Sequence, residues 1–300
     1  MTEETWPRIA VLGAGAVGCY FGGMLARAGA PVTLIGRPAH VEAINRDGLF
    51  FESVKFQEHI RIPATTDVAA ASTAEVVLFC VKTTDTEDAA KLVAPHLAKG
   101  AVVVSLQNGV DNVERIRAAS GIVALPAVVY VAAEMPGPGR LKHNGRGDLV
   151  VDAPQIADLF ARAAVPCRTS ESIQADLWTK LIMNCSHNAI SALTRSRYGR
   201  MAANPWVSAV TRLAVEEAVH VACAAGVELN KEDLFAAQEK LATTMANAIS
   251  STAQDLARGR RTEIDSLNGY VARRGKELGI TTPVNQTLHA LVKLLEETAT

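Results

Sequence analysis

Lys180, Asn184 and Asn188 recur every four residues in WTKLIMNCSHNAISAL, residues 178–193. At that spacing three polar groups share one face of a helix. The body of the segment is otherwise apolar, with Leu181, Ile182, Met183, Cys185, Ile190 and Leu193. An ammonium is costly to bury without a partner. Asparagine is a poor helix former, yet its amide offers a donor and an acceptor to a small polar ligand. Two readings of this stripe compete. In one it faces solvent, although such a face usually carries Glu, Gln, Arg and Lys. In the other it lines a cleft between two domains and meets a ligand.

A second set of residues could hold a nucleotide. Gly13-Ala14-Gly15-Ala16-Val17-Gly18 fits the pattern G-x-G-x-x-G. It follows an apolar strand, opens a helix and is succeeded by another strand within thirty residues, as a dinucleotide-binding turn requires. Its glycines let the backbone approach a pyrophosphate, whose charge sits at the helix amino end, with Ala16 and Val17 in the first turn. The competing reading is a tight turn with no nucleotide. At the end of the second strand, NAD-binding units usually carry an acid for the ribose hydroxyls. Here the residues are Gly36-Arg37, and the first acid beyond is Glu42. An arginine can pair with a 2′-phosphate that a carboxylate would repel, so NADP is the expected cofactor unless Arg37 is a solvated loop residue.

The elements that must position these groups are legible as periodicity. RIAVLGAG (8–15), PVTLIGR (31–37), AEVVLFCVKT (74–83), AVVVSLQNG (101–109) and GIVALPAVVYVAAEM (121–135) read as strands. Several are continuous in apolar residues, the mark of a parallel sheet covered on both faces. VGCYFGGMLARAG (17–29) reads as a helix, and PGPGRLKHNGRGDLVV (136–151) as a hairpin at the sheet edge. After about residue 170 the strand signal stops. Asn204-Pro205 opens a helix running to Gly226, and Thr282-Pro283 opens the last one. The expected fold is α/β: a Rossmann-type doubly wound parallel sheet over 1–170, followed by an all-helical substrate and catalytic domain over 171–300.

Composition narrows the function classes. With 300 residues, two domains are expected. Lys and Arg number 30 against 31 Asp and Glu, so nothing suggests a nucleic-acid or anionic-membrane partner. MTEETWP is no secretory signal, and the longest apolar stretch, 121–133, contains Pro126 and is too short to span a bilayer. Five cysteines without a C-x-x-C suit free thiols in a reducing cytoplasm and argue against a disulfide scaffold or a zinc site. No cysteine is assigned chemistry, and His40 and His187 are left unassigned.

An ordered set of motifs resembles the ketopantoate reductase (2-dehydropantoate 2-reductase) family. The set is GAGAVG, Arg37 after the second strand, VKT (81–83), QNG (107–109), KLIMN (180–184) and SSTAQDLARGRRTEID (250–265). It covers nearly the whole chain, from about residue 8 to 290. The resemblance implies a cytoplasmic oxidoreductase of pantothenate biosynthesis that reduces 2-dehydropantoate to pantoate by hydride transfer from NADPH. It implies that Lys180 polarises the ketone and supplies the proton, and that Glu263 binds the substrate hydroxyl and helps position the lysine. Asn184 and Asn188 would hold substrate groups, Ser251 would contact the substrate carboxylate, and Lys82 and Asn108 would border nicotinamide and substrate. A small 2-oxo acid and a second copy of the chain, as a homodimer, are the partners it admits.

One departure is plain: where the family tends to have asparagine three residues before Ser251, this chain has Ala248. Residue by residue, simpler roles also stand. Glu263 could be an acid favoured by a helix dipole, with Asp265 completing a capping pattern. Lys82 could be a strand-end lysine, Asn108-Gly109 a turn, and Ser250-Ser251 a helix break. The rival functions are a related NADP-dependent dehydrogenase acting on another small 2-oxo or 2-hydroxy acid, and an NADPH-binding regulator without turnover.

Overall fold

The computed structural model describes residues 5–298, apart from the side chains at 231, 233, 239, 241 and 242. Residues up to Ile173 form one compact unit and those from Gln174 a second. The first runs β1 (Ile9–Leu12), α1 (Ala16–Arg27), β2 (Val32–Ile35), α2 (Pro38–Asp47), β3 (Leu49–Glu52), β4 (Gln57–Ile60), β5 (Ala64–Thr65) and β6 (Val76–Phe79). It continues with α3 (Thr86–Val93), β7 (Val102–Ser105), α4 (Asn112–Ser120), β8 (Ala124–Gly137), β9 (Arg140–Val151), α5 (Pro154–Arg162) and β10 (Cys167–Thr169). Helix α6 (Ile173–Thr194) leads into the second unit, whose further helices are α7 (Tyr198–Ala202), α8 (Pro205–Ala224), α9 (Lys231–Thr244), α10 (Ser251–Ala257), α11 (Asn268–Glu277) and α12 (Pro283–Thr298).

The central strands are short, apolar and covered on both faces. Successive residues of a strand point to opposite sides. Ile9 and Val11 of β1 therefore join a core with Phe21 and Leu25 of α1, while Ala10 and Leu12 join another with Ala90, Val93 and Ile116 of α3 and α4. Full burial of a valine, leucine, isoleucine or phenylalanine among them stabilises by roughly 1.5–3 kcal/mol. The sheet order is β4-β3-β9-β8-β7-β6-β1-β2-β5, with β10 on β9. From β5 to β8 every neighbour is parallel.

The hairpin expected over 136–151 forms, as antiparallel β8 and β9, but not at an edge. β9 also takes β3 and β10 as parallel neighbours, and β4 extends the sheet beyond β3. An edge placement fails because Leu141, Leu149, Val150 and Val151 are each under 3% exposed, burial that an edge hairpin would not give them.

Among the described residues the second unit contains helices without strands. Asn204 caps α8 by accepting the amides of Trp206 and Val207 at 3.0 and 3.2 Å, with Pro205 at the first helical position. That helix ends at Ala224 rather than Gly226. Glu217 caps α12 in turn, accepting the amides of Val284 and Asn285 at 2.8 and 2.9 Å. No described helix is long and apolar enough to cross a membrane.

Candidate active site

The glycine turn sits where β1 ends and α1 begins. The amides of Gly13 and Ala14 donate to the carbonyl of Ile35, at 2.9 and 3.1 Å, which ties the turn to the end of β2. Gly13 has φ +109°, and a side chain there would press on the Cys80 backbone at 2.8 Å. At Gly18 a Cβ would collide with the Gly13 carbonyl. Both positions therefore require glycine for close packing. Gly15 differs: a Cβ there would meet nothing within 4 Å. The space lies at the amino end of α1, where the first amides, including those of Ala16, Val17 and Gly18, lack carbonyl partners within the helix. Open room beside unpaired amides and a positive helix end fits a dinucleotide pyrophosphate. Arg37 follows two residues after Ile35, exposed, at the amino cap of α2, and α2 has no acid in its first turn.

Lys82 and Asn108 lie just beyond the carboxyl ends of β6 and β7, both half-buried. A residue that sequence reasoning left without a role joins them. Gln107, 5% exposed, donates from Nε2 to the Val81 carbonyl at 3.1 Å and to Thr86 Oγ1 at 2.8 Å, and its Oε1 accepts from Ser105 Oγ at 3.0 Å. Thr86 Oγ1 donates on to the Thr83 carbonyl at 3.1 Å, which also accepts from Arg115 at 2.7 Å. Asn112 Nδ2 holds the Asn108 carbonyl at 2.7 Å. The loops bearing Lys82 and Asn108 are thus cross-braced by buried amides and hydroxyls. The available signal was Gln107 itself, a polar residue directly after an apolar strand.

In the second unit the polar stripe on α6 is graded. Lys180 and Asn184 are half-buried, while Asn188 is 4% exposed. Asn188 Oδ1 accepts from Tyr198 Oη at 3.2 Å. Burial pushes the Tyr198 hydroxyl up to about 12, so it stays protonated and a donor. A solvent face along the whole stripe is incompatible with this burial.

Ser250 and Ser251 begin a helix instead of breaking one. Ser250 caps α10 by accepting the Ala253 amide at 3.1 Å, and its hydroxyl donates to the Asn188 carbonyl at 3.1 Å. Ser251, exposed, is therefore held next to the carboxyl half of α6. Ala248 packs its methyl on the helical core, and its carbonyl accepts the Tyr198 amide at 3.1 Å.

Glu263 is half-buried and precedes a 3₁₀ turn, Ile264–Ser266; α11 begins only at Asn268. The alternative in which Glu263 lies in the first turn of a helix, with Asp265 completing a capping pattern after Thr262, does not hold. Asp265 turns instead to His289 and Lys293. The segment after Glu263 lies against α6: Asn268 Nδ2 donates to the Cys185 carbonyl at 3.0 Å, and the rings of Tyr270 and Trp178 are 5.8 Å apart. The structure thus brings Asn188 to the start of α10, and α6 to the segment after Glu263. The glycine turn, Arg37, Lys82 and Asn108 belong to the first unit.

Comparison with known proteins agrees across the chain. Residues 9–155 match the family model described as Ketopantoate reductase PanE/ApbA, and residues 172–296 match the model of its C-terminal part. A 2-dehydropantoate 2-reductase of Pyrococcus abyssi is 32% identical over 295 residues, 95% of this chain and 97% of that one. The crystal structure of a PanE/ApbA family ketopantoate reductase from Ralstonia eutropha JMP134 is 50% identical, with a TM-score of 0.93 over 97% of this chain and 99% of that one. A D-mandelate dehydrogenase bound to NADH and anilino(oxo)acetate shares the fold at 24% identity, with a TM-score of 0.91 over 97% and 99%.

Proposed function

The chain belongs to the ketopantoate reductase PanE/ApbA family, and from that premise we propose that it reduces 2-dehydropantoate to pantoate with NADPH. The family and its NADH-bound structural neighbour point to a nicotinamide cofactor. The phosphorylated form is our reading of Arg37, which stands at the end of β2 where an acid would select NAD. We assign Gly13, Gly15, Ala16, Val17 and Gly18 to the pyrophosphate, Arg37 to the 2′-phosphate, and Lys82 and Asn108 to the nicotinamide side. The bound, reduced nicotinamide supplies a hydride to the ketone carbon.

The observation that carries the chemistry is Lys180, an ammonium half-buried on a helix whose flanking residues, Leu181 and Ile182, are buried. In this reading its N–H donates to the ketone oxygen. As the carbonyl π bond opens, Lys180 transfers a proton to the developing alkoxide. A positioned acid of this kind contributes roughly 10²–10⁴ in rate. Glu263 holds the substrate hydroxyl and the lysine. Asn184 and Asn188 hold further polar groups of the substrate, Asn188 with Tyr198 behind it. Ser251 takes the carboxylate. The first unit is the nucleotide domain and the second the substrate domain.

A second reading rests on Ala248. A methyl packed on the helical core offers no hydrogen bond, so a different small 2-oxo acid could be the preferred substrate of the same reaction. NADPH consumption across a panel of 2-oxo acids separates the two. Preferred turnover of 2-dehydropantoate supports the first, a much faster alternative acid supports the second, and no turnover of any acid refutes both. A homodimer belongs to the same proposal, supported by Trp206, Val210 and Leu213 exposed along α8, and sedimentation tests it.

A further inference from the structure

The turn that carries Glu263 is clamped on both sides by one face of α12. Thr262, 1% exposed, donates from its amide and hydroxyl to Glu296 Oε1 at 2.7 and 2.6 Å. The same hydroxyl accepts the Ile264 amide at 3.2 Å, so it bridges the backbone across Glu263. On the far side, the Asp265 carboxylate accepts His289 Nε2 at 2.7 Å and Lys293 Nζ at 3.0 Å. Lys293 also reaches Glu296 Oε2 at 2.7 Å, which closes a circuit from Thr262 through Glu296 and Lys293 to Asp265. Residues 289, 293 and 296 are four and three apart and share a helix face. Ile264, fully buried between the two anchors, holds the turn onto the helical core.

Room for this arrangement is made on α11. A Cβ at Gly269 would come within 2.8 Å of His289 Cδ2 and Nε2, so the bare backbone there leaves room for the imidazole beside Asp265. The bonds from His289 and then Lys293 hold the Asp265 carboxyl well below its usual range. Burial opposes ionisation of Glu296, but the bonds from Lys293 and Thr262 outweigh it and keep its carboxyl low. The two carboxylates therefore stay ionised throughout the neutral range. The clamp's members grip the residues on either side of Glu263, with Lys293 shared between the Asp265 and Glu296 carboxylates.

We propose that His289, Lys293 and Glu296 are positioning residues for Glu263: they fix the backbone of the 262–265 turn and thereby aim the Glu263 carboxylate. The inference rests on the reading in which Glu263 acts on the substrate. A catalytic group displaced by an ångström can lose about a hundredfold in rate. Loosening one anchor should therefore lower kcat/KM for the oxo acid about tenfold or more while leaving NADPH affinity unchanged.

The test is a kinetic cycle on the full chain with NADPH and 2-dehydropantoate. Lys293→Met keeps the side-chain stem and removes the charge that joins Asp265 to Glu296. We expect kcat/KM for the oxo acid to fall about tenfold or more, NADPH binding to stay within about twofold, and Lys293→Arg to recover most of the loss. In a Glu263→Ala background the same Lys293→Met change should add nothing, because the lysine acts through Glu263. A Lys293→Met enzyme with near wild-type kcat/KM, or with losses that simply add to those of Glu263→Ala, would overturn the clamp. If Glu263→Ala alone keeps full turnover, the underlying functional reading falls instead. Should Lys293→Met fail to fold, His289→Ala carries the same cycle, since it removes one of the two donors to Asp265.

Discussion

Gln107→Leu is the sharpest test of the bracing between the two strand-end loops. Leucine has a similar volume and no amide. The substitution removes both donations from Nε2, to the Val81 carbonyl and Thr86 Oγ1, and the acceptance from Ser105 Oγ. Each buried partner left unmet costs about 1–3 kcal/mol. Thr86 keeps its bond to the Thr83 carbonyl, so its share is small. The leucine gains back about 1–2 kcal/mol by burial. The net expectation is a loss of about 1–4 kcal/mol from the first unit, or a fall in its Tm of roughly 3–15 °C for a unit of this size. Urea unfolding followed by circular dichroism measures it. The loss should come with a raised KM for NADPH, because Lys82 and Asn108 sit on the loops released. Gln107→Glu should be no milder at neutral pH, since it sets a carboxylate oxygen against the Val81 carbonyl. A Gln107→Leu protein within about 0.5 kcal/mol of wild type would refute the reasoning, because that is the range of substitutions that break nothing.

Arg37→Ala should narrow the preference for NADPH over NADH by roughly one to two decades in kcat/KM, the worth of a bidentate contact to phosphate; equal use of both cofactors by the wild type would count against that assignment. Lys180→Ala should chiefly lower kcat, by about 10²–10⁴, with NADPH affinity kept. Asn188→Ala should raise KM for the oxo acid and also cost about 1–3 kcal/mol of stability, since it leaves the buried Tyr198 hydroxyl without its acceptor, a loss that thermal melting reads directly. Asp265 has a depressed carboxyl, so its ionised form stabilises the fold at any pH above the ordinary carboxylate range. That contribution is lost as pH falls below about 4, so the stability gap between wild type and Asp265→Asn should be full at neutral pH and shrink in acid.

The glycine turn and the central strands were legible because their signals are local. GAGAVG lies between a strand and a helix within one short stretch, and IAVL and VVLF are apolar runs that both faces of the sheet consume. The β3–β4 hairpin was not legible. Its second strand, QEHI, is half exposed, and the hairpin's place is fixed by a β9 that arrives much later in the chain. The same limit hid the clamp around Glu263. His289, Lys293 and Glu296 share a face by spacing alone, but nothing local says that the face meets Thr262 and Asp265. The alternative role for Glu263 in a helix's first turn arises because an acid after threonine looks like part of a cap, whereas Asp265 is drawn to two basic side chains on α12 and the helix starts only at Asn268.

The interior position of β9 has a consequence for synthesis. Phe50 pairs with Arg140, and Glu52 with Lys142, across about 90 residues of chain. At roughly 5–20 residues per second, β3 leaves the ribosome about 5–20 s before the strand that will flank it. During that interval Phe51, fully buried in the finished sheet, belongs to a two-stranded ribbon with one side unsealed. The sheet of the first unit therefore cannot close in the order in which it is made. Its β8–β9 hairpin must reach back to strands translated earlier, and an edge strand left unpaired until then is open to pairing with a holdase or another nascent copy.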